Sequence, residues 1–216
     1  MLSNCLFAQN DTLIINNDYR FKIGVKGLLE RGIFNIPSSE YMARDVSSES
    51  ILFNYGVLVN YKLKNKYSSI ESGIYFIKRA SYYEFTSQSN NNILFLLVRK
   101  EYNNIQFPLK YRIDTKFLYF SLGGYMEFLT STSTKRADLF NNSLLINEKD
   151  RNFNLGVIAS LGFEKAMTNN ISIFFETNFS SNLTSFKQNE SFWYFSKEPQ
   201  NHLQNYGFGL GITYKI

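Results

Sequence analysis

Residues 204–216 close the chain with QNYGFGLGITYKI, in which Tyr206, Phe208, Leu210, Ile212, Tyr214 and Ile216 take every second position. Gly207, Gly209, Gly211, Thr213 and Lys215 fill the positions between them. A period of two over this length marks a β-strand with one apolar face. The opposite face is nearly bare, so it belongs where side-chain space is short. The aromatic and aliphatic face needs an apolar surface to lie against.

The same alternation recurs upstream and gives eight strands in all, the others over about 19–30, 51–63, 68–79, 100–113, 117–129, 152–164 and 171–183. Its clearest instance sets Ile51, Phe53, Tyr55, Val57, Val59, Tyr61 and Leu63 against Leu52, Asn54, Gly56, Leu58, Asn60 and Lys62. Tight links (64–67, 114–116 and 165–170) alternate with long ones (31–50, 80–99, 130–151 and 184–203). An even number of antiparallel strands, with short turns at one end and long loops at the other, is the layout of an outer-membrane barrel. Strands of this length exceed the roughly 9 to 11 residues that a tilted strand needs to cross the hydrocarbon.

Composition agrees with this pattern. Aromatic residues make up 17% of the 216 residues, and proline occurs three times. Such usage favours strands. No stretch approaches the roughly 18 to 20 consecutive apolar residues of a membrane helix, and that test does not bear on barrels. The net charge of +5 is spread along the chain, which argues against a nucleic-acid partner. A soluble eight-stranded barrel would show the mirror-image pattern, with the apolar stripe inside. Three features favour the membrane form. Glycines fall mostly on the polar face, as a crowded lumen requires. Tyr55, Tyr61, Tyr111, Phe163, Tyr206 and Tyr214 lie near strand ends on the apolar face, where interfacial girdles belong. Export is the third. Residues 1–8 resemble the end of a secretory signal, with Ala8 before the cut. Cleavage there leaves a mature chain without Cys5, the one cysteine, and so without disulfides. Residues 9–18 are then a periplasmic segment and 19–216 the barrel, with both chain ends periplasmic. The terminal strand closes the cylinder against the first, because in lipid no sheet edge can be left open.

The segment EYNNIQFPLKYRI, followed by a tight turn and KFLYFSLGGYMEFL, resembles the centre of the PorT-like outer-membrane β-barrel family. Tyr102, Ile105, Pro108, Leu109 and Tyr111 carry the likeness, and GVIASLGFE and TNFSSNLTSF extend it. The resemblance implies association with a secretion or outer-membrane assembly complex. Pro108 cannot donate to a β-ladder, so a bulge is expected there.

The polar face collects Lys22, Lys26, Lys62, Arg79, Lys110, Arg112 and Lys215 against Glu30, Glu71, Glu127, Glu164 and Glu176. Buried charges must be paired and hydrogen-bonded, so an ionic plug is expected, with Lys26, Glu71, Lys110, Arg112, Glu127, Glu164 and Glu176 as its network. An eight-stranded cylinder is narrow enough for its own side chains to fill. Phe53, Val57, Phe120, Leu155, Phe175, Phe208 and Leu210 are expected to face lipid. The pattern leads to a non-catalytic structural or adaptor barrel in the outer membrane of a Gram-negative bacterium. Its expected partners are outer-membrane lipids, lipopolysaccharide included, and other outer-membrane or periplasmic proteins. No cofactor is implied, and no His/Cys spacing for a metal occurs. Two alternatives stand beside this reading. His202 with Ser191 or Ser196 would suit a lipid-modifying enzyme, and an incompletely filled lumen would make a narrow pore. Trp193, Tyr194 and Phe195 concentrate aromatics in the last long loop, a place for packing over the barrel mouth or for partner recognition.

Overall fold

The computed structural model describes residues 20–35, 43–45, 51–64, 67–89, 92–137, 144–146, 153–184 and 202–216. It contains ten strands: β1 (Phe21–Asn35), β2 (Ala43–Asp45), β3 (Ile51–Lys62), β4 (Ser68–Ser89), β5 (Asn92–Asp114), β6 (Leu118–Ala137), β7 (Leu144–Ile146), β8 (Phe153–Ala166), β9 (Ile171–Asn182) and β10 (His202–Lys215). The short β2 and β7 pair only with β4 and β6, and the other eight form a ring in the order β4-β3-β1-β10-β9-β8-β6-β5, closed by β4 against β5. Every pairing is antiparallel. Closure rests on β1 and β10, whose ladder runs from Lys22–Lys215 to Asn35–His202. A closed antiparallel ring leaves no barrel strand with an open edge, which is the condition for crossing hydrocarbon.

The period of two separates the two faces along the membrane-spanning part of the strands. Phe53, Val57, Phe120, Leu155, Phe175, Phe208 and Leu210 point outward and are 40–61% exposed. Lys26, Glu71, Lys110, Arg112, Glu127 and Glu176 point inward and are 0–4% exposed, while Glu164 is mostly buried at the lower rim. The lumen is also aromatic, and the inward glycines explain how. Tyr75, Tyr119, Tyr125 and Phe174 each lie over the glycine directly across the ladder, respectively Gly56, Gly162, Gly156 and Gly211. A Cβ at any of these four glycines would overlap the facing ring. Glycine is therefore required there by close approach, and each ring fills the space that the missing side chain leaves. On the outside the rings form cross-strand pairs such as Phe21–Tyr61 (5.0 Å), Tyr55–Phe76 (5.3 Å) and Phe128–Phe153 (5.2 Å).

Three sequence expectations are corrected. Residues 80–99 are not a long loop: β4 and β5 run on as a hairpin, paired as far as Ser89–Asn92. Above the bilayer both faces of a strand are wet, so it need not alternate, and the periodic signal fades while the backbone pairing continues. Likewise β1 extends to Asn35 and β6 to Ala137, and β2 and β7 lengthen this raised wall on either side. The bulge is not at Pro108. The register shifts at Asn103/Asn104, where Thr130 is the extra residue of β6 and donates its hydroxyl to the Asn103 carbonyl at 2.7 Å. At Pro108 the β4–β5 ladder passes from Ser72–Leu109 to Tyr75–Gln106 without changing register. The Ser72 hydroxyl donates to the Pro108 carbonyl at 2.9 Å, so the strand absorbs the proline without an added residue.

Candidate functional site

The lumen is built in three layers from residues at every second position of the strands. At the periplasmic end, Lys22 of β1 lies 2.7 Å from Glu164 of β8. Arg112 of β5 reaches the same carboxylate and also Asp114, to which its Nε donates at 2.8 Å. The Arg112 guanidinium stacks 3.6 Å above the Tyr119 ring, which fixes its plane. In the middle layer Glu71 holds Lys110 at 2.5 Å, and Glu176 takes Lys26 at 2.6 Å and the Tyr119 hydroxyl at 2.7 Å. Nearer the extracellular end, Arg79 and Glu127 form a two-pronged pair, with both hydrogen bonds 2.9 Å long. Glu30 accepts from the side-chain amides of Asn54 and Asn178, each at 2.6 Å, and the Tyr125 hydroxyl bonds Asn182.

These contacts do mechanical work because most of them skip a strand. Glu71 and Lys110 are ladder partners, but Lys26–Glu176, Arg79–Glu127 and Arg112–Glu164 join strands that are not neighbours in the ring. Each bridges over one intervening strand and ties the wall together through the lumen. Removing water from such charges is costly, and the attraction repays it only where geometry is good and the remaining donors and acceptors are engaged. The two-pronged Arg79–Glu127 contact meets the geometric part of that condition through Nε and Nη2, while Arg79 Nη1 is buried without a partner among the described residues. A cavity of about 10 Å³ remains beside Arg79, Glu30 and Asn205, room for about one water.

All seven residues of the expected ionic network meet in this lumen. Asp114, Tyr119, Asn54 and Asn178 were missed as members. Asp114 reads as part of a turn, and the tyrosine and asparagines carry no charge to single them out, although each lies at an inward position of its strand. His202 opens β10 with its backbone opposite Asn35, so it is a ladder residue and not a loop one. Ser191, Ser196, Trp193, Tyr194, Phe195 and residues 1–18 lie outside the described residues.

A closed antiparallel ring with an apolar belt outside and an ionic interior is an integral membrane β-barrel of the outer-membrane kind. Residues 7–188 match the family model described as outer membrane protein beta-barrel domain. The chain belongs to that family, and its location is the outer membrane of a Gram-negative bacterium. Among curated proteins none matches the sequence. Similar solved structures include Neisserial surface protein A, NspA (TM-score 0.45, 10% identity, 91% of this chain and 97% of that one). Ail, the attachment invasion locus protein of Yersinia pestis, is another (TM-score 0.42, 15% identity, 91% and 97%). The N-terminal β-barrel domain of Pseudomonas aeruginosa OprF is a third (TM-score 0.34, 12% identity, 90% and 97%).

Proposed function

We propose that the protein is a non-catalytic structural or adaptor barrel of the PorT-like kind, which presents its extracellular wall and loops to partner proteins in a secretion or outer-membrane assembly complex. The observation that carries this reading is the cross-braced lumen. Lys26–Glu176 and Arg79–Glu127 each bridge over an intervening strand inside the lumen, at two heights, and rings packed on glycines fill the space between them. A barrel filled in this way is a rigid post and not a conduit. The raised β4–β5 hairpin, bordered by β2 on one side and by β6 with β7 on the other, is the part of the described chain that stands away from the barrel for others to grip. The strand-five stretch Tyr102-x-x-Ile105-x-x-Pro108-Leu109 adds the PorT-like likeness.

The test is gentle detergent extraction of a tagged chain after cross-linking in cells. The same outer-membrane or periplasmic proteins should copurify in fixed proportion, and should be lost when residues 84–97 are replaced by a two-residue turn that leaves the barrel folded. Recovery of the barrel alone, or identical partners with the shortened hairpin, would contradict the proposal.

A further inference from the structure

A groove of about 650 Å³ crosses the outer wall of the barrel. It lies between two rows of outward side chains that follow the ladder from strand to strand. One row passes through Phe120, Leu161, Thr177 and Phe208 to Leu29. The other passes through Ala159, Phe179 and Tyr206 to Arg31. The backbone at Gly207 forms the floor between them. Two features hold the groove open. Ala159 and Thr177 are small where the rows elsewhere carry bulk. The Phe208 ring stacks on Phe175 (6.0 Å between centroids), while Phe179 closes on Tyr206 (5.2 Å), so the two walls keep to their own sides.

Because barrel strands tilt, a groove that follows the hydrogen-bond direction runs obliquely through the bilayer. Its ends differ chemically. Phe120 stands just after the periplasmic turn that opens β6. Arg31 is paired with Ile51, the first residue of β3, at the opposite end, and is exposed on the lipid side. An outward guanidinium at the extracellular end of an otherwise apolar trough matches an amphiphile whose anion sits at that membrane surface. Arginine suits phosphate in particular, since its planar fork binds two oxygens at once. We infer that the groove is a binding site for the phosphorylated glycolipid of the outer leaflet, lipid A, with one acyl chain in the trough and a phosphate on Arg31. An anionic phospholipid offers the same charge, but its leaflet lies at the Phe120 end.

The test uses the full chain in micelles, with native mass spectrometry of retained lipid after adding bisphosphorylated lipid A, dephosphorylated lipid A or phosphatidylglycerol. The parent should retain bisphosphorylated lipid A about tenfold or more above the dephosphorylated form, the scale of one charge-assisted contact, and by a smaller factor above phosphatidylglycerol, whose phosphodiester carries one charge where a phosphate monoester carries up to two. Arg31→Gln should erase the preference for the phosphorylated form. Thr177→Trp should abolish retention of both lipid A forms, and Ala159→Phe, a smaller filling, should do the same if Thr177→Trp does not reach the compact form on unheated gels. Equal retention of all three lipids by the parent overturns the assignment. So does phosphatidylglycerol bound as well as lipid A, or retention unchanged in the filled-groove variants.

Discussion

Arg79 and Glu127 offer the sharpest test of the lumen, because their side chains are 3% and 0% exposed and share two hydrogen bonds of 2.9 Å. Glu127→Gln keeps the shape but leaves a guanidinium buried without its counter-charge. Arg79→Met does the reverse to the carboxylate. Breaking a buried pair from one side costs about 3–5 kcal/mol. Glu127→Gln should sit near the lower figure, since one amide oxygen still accepts. Replacing both partners, as in Arg79→Met with Glu127→Leu, removes the stranded charge and should return stability to within about 1 kcal/mol of the parent, because apolar isosteres of a buried pair are often neutral. With Glu127→Leu as the matching single variant the cycle closes, and singles of about 3 kcal/mol each against a double near 1 give a coupling energy of about 5 kcal/mol. Reversible urea unfolding in lipid vesicles, read from folded and unfolded mobility on unheated gels, measures all five proteins. Single variants within about 1 kcal/mol of the parent, or a double variant as unstable as the sum of the singles, would refute a desolvated and coupled pair.

Gly156→Val would drive a side chain into the Tyr125 ring, which Asn182 holds in place, and should cost about 1–3 kcal/mol; Tyr125→Ser in the same chain should recover most of it in the same unfolding assay. On the lipid side, Leu210→Arg should destabilise the barrel by about 2–4 kcal/mol in vesicles, against a much smaller effect for Leu210→Phe. In planar bilayers the parent should show no sustained single-channel current; resolvable currents would contradict the filled lumen.

Much of the fold was legible because one physical constraint, an apolar phase outside and a crowded bore inside, repeats at every second residue. The stretch Tyr206–Tyr214 shows it in miniature. The raised hairpin was not legible, since Tyr82, Tyr83 and Phe85 lie where neither face of the sheet is bound to alternate. Inward direction could be read for Lys26 and Glu176, but not their pairing. They are 150 positions apart and meet because ring closure brings β1 next but one to β9. The fit of Tyr125 on Gly156 depends on register in the same way, and register appears only once strands are aligned. Pro108 misled for a related reason: it interrupts the β4–β5 ladder, but its carbonyl still accepts from the Ser72 hydroxyl and the register is kept on either side, so the strand passes without a bulge there.

Methyl-labelled NMR in lipid nanodiscs separates the two faces using neighbouring residues of matched chemistry. Leu29, Val57 and Val157 should show nuclear Overhauser contacts to lipid acyl protons, while Leu28, Leu58 and Ile158, each buried to 6% exposure or less, should show none. The reverse pattern, or a folded chain that stays in solution with no amphiphile present, would mean that the barrel is turned inside out from the one described.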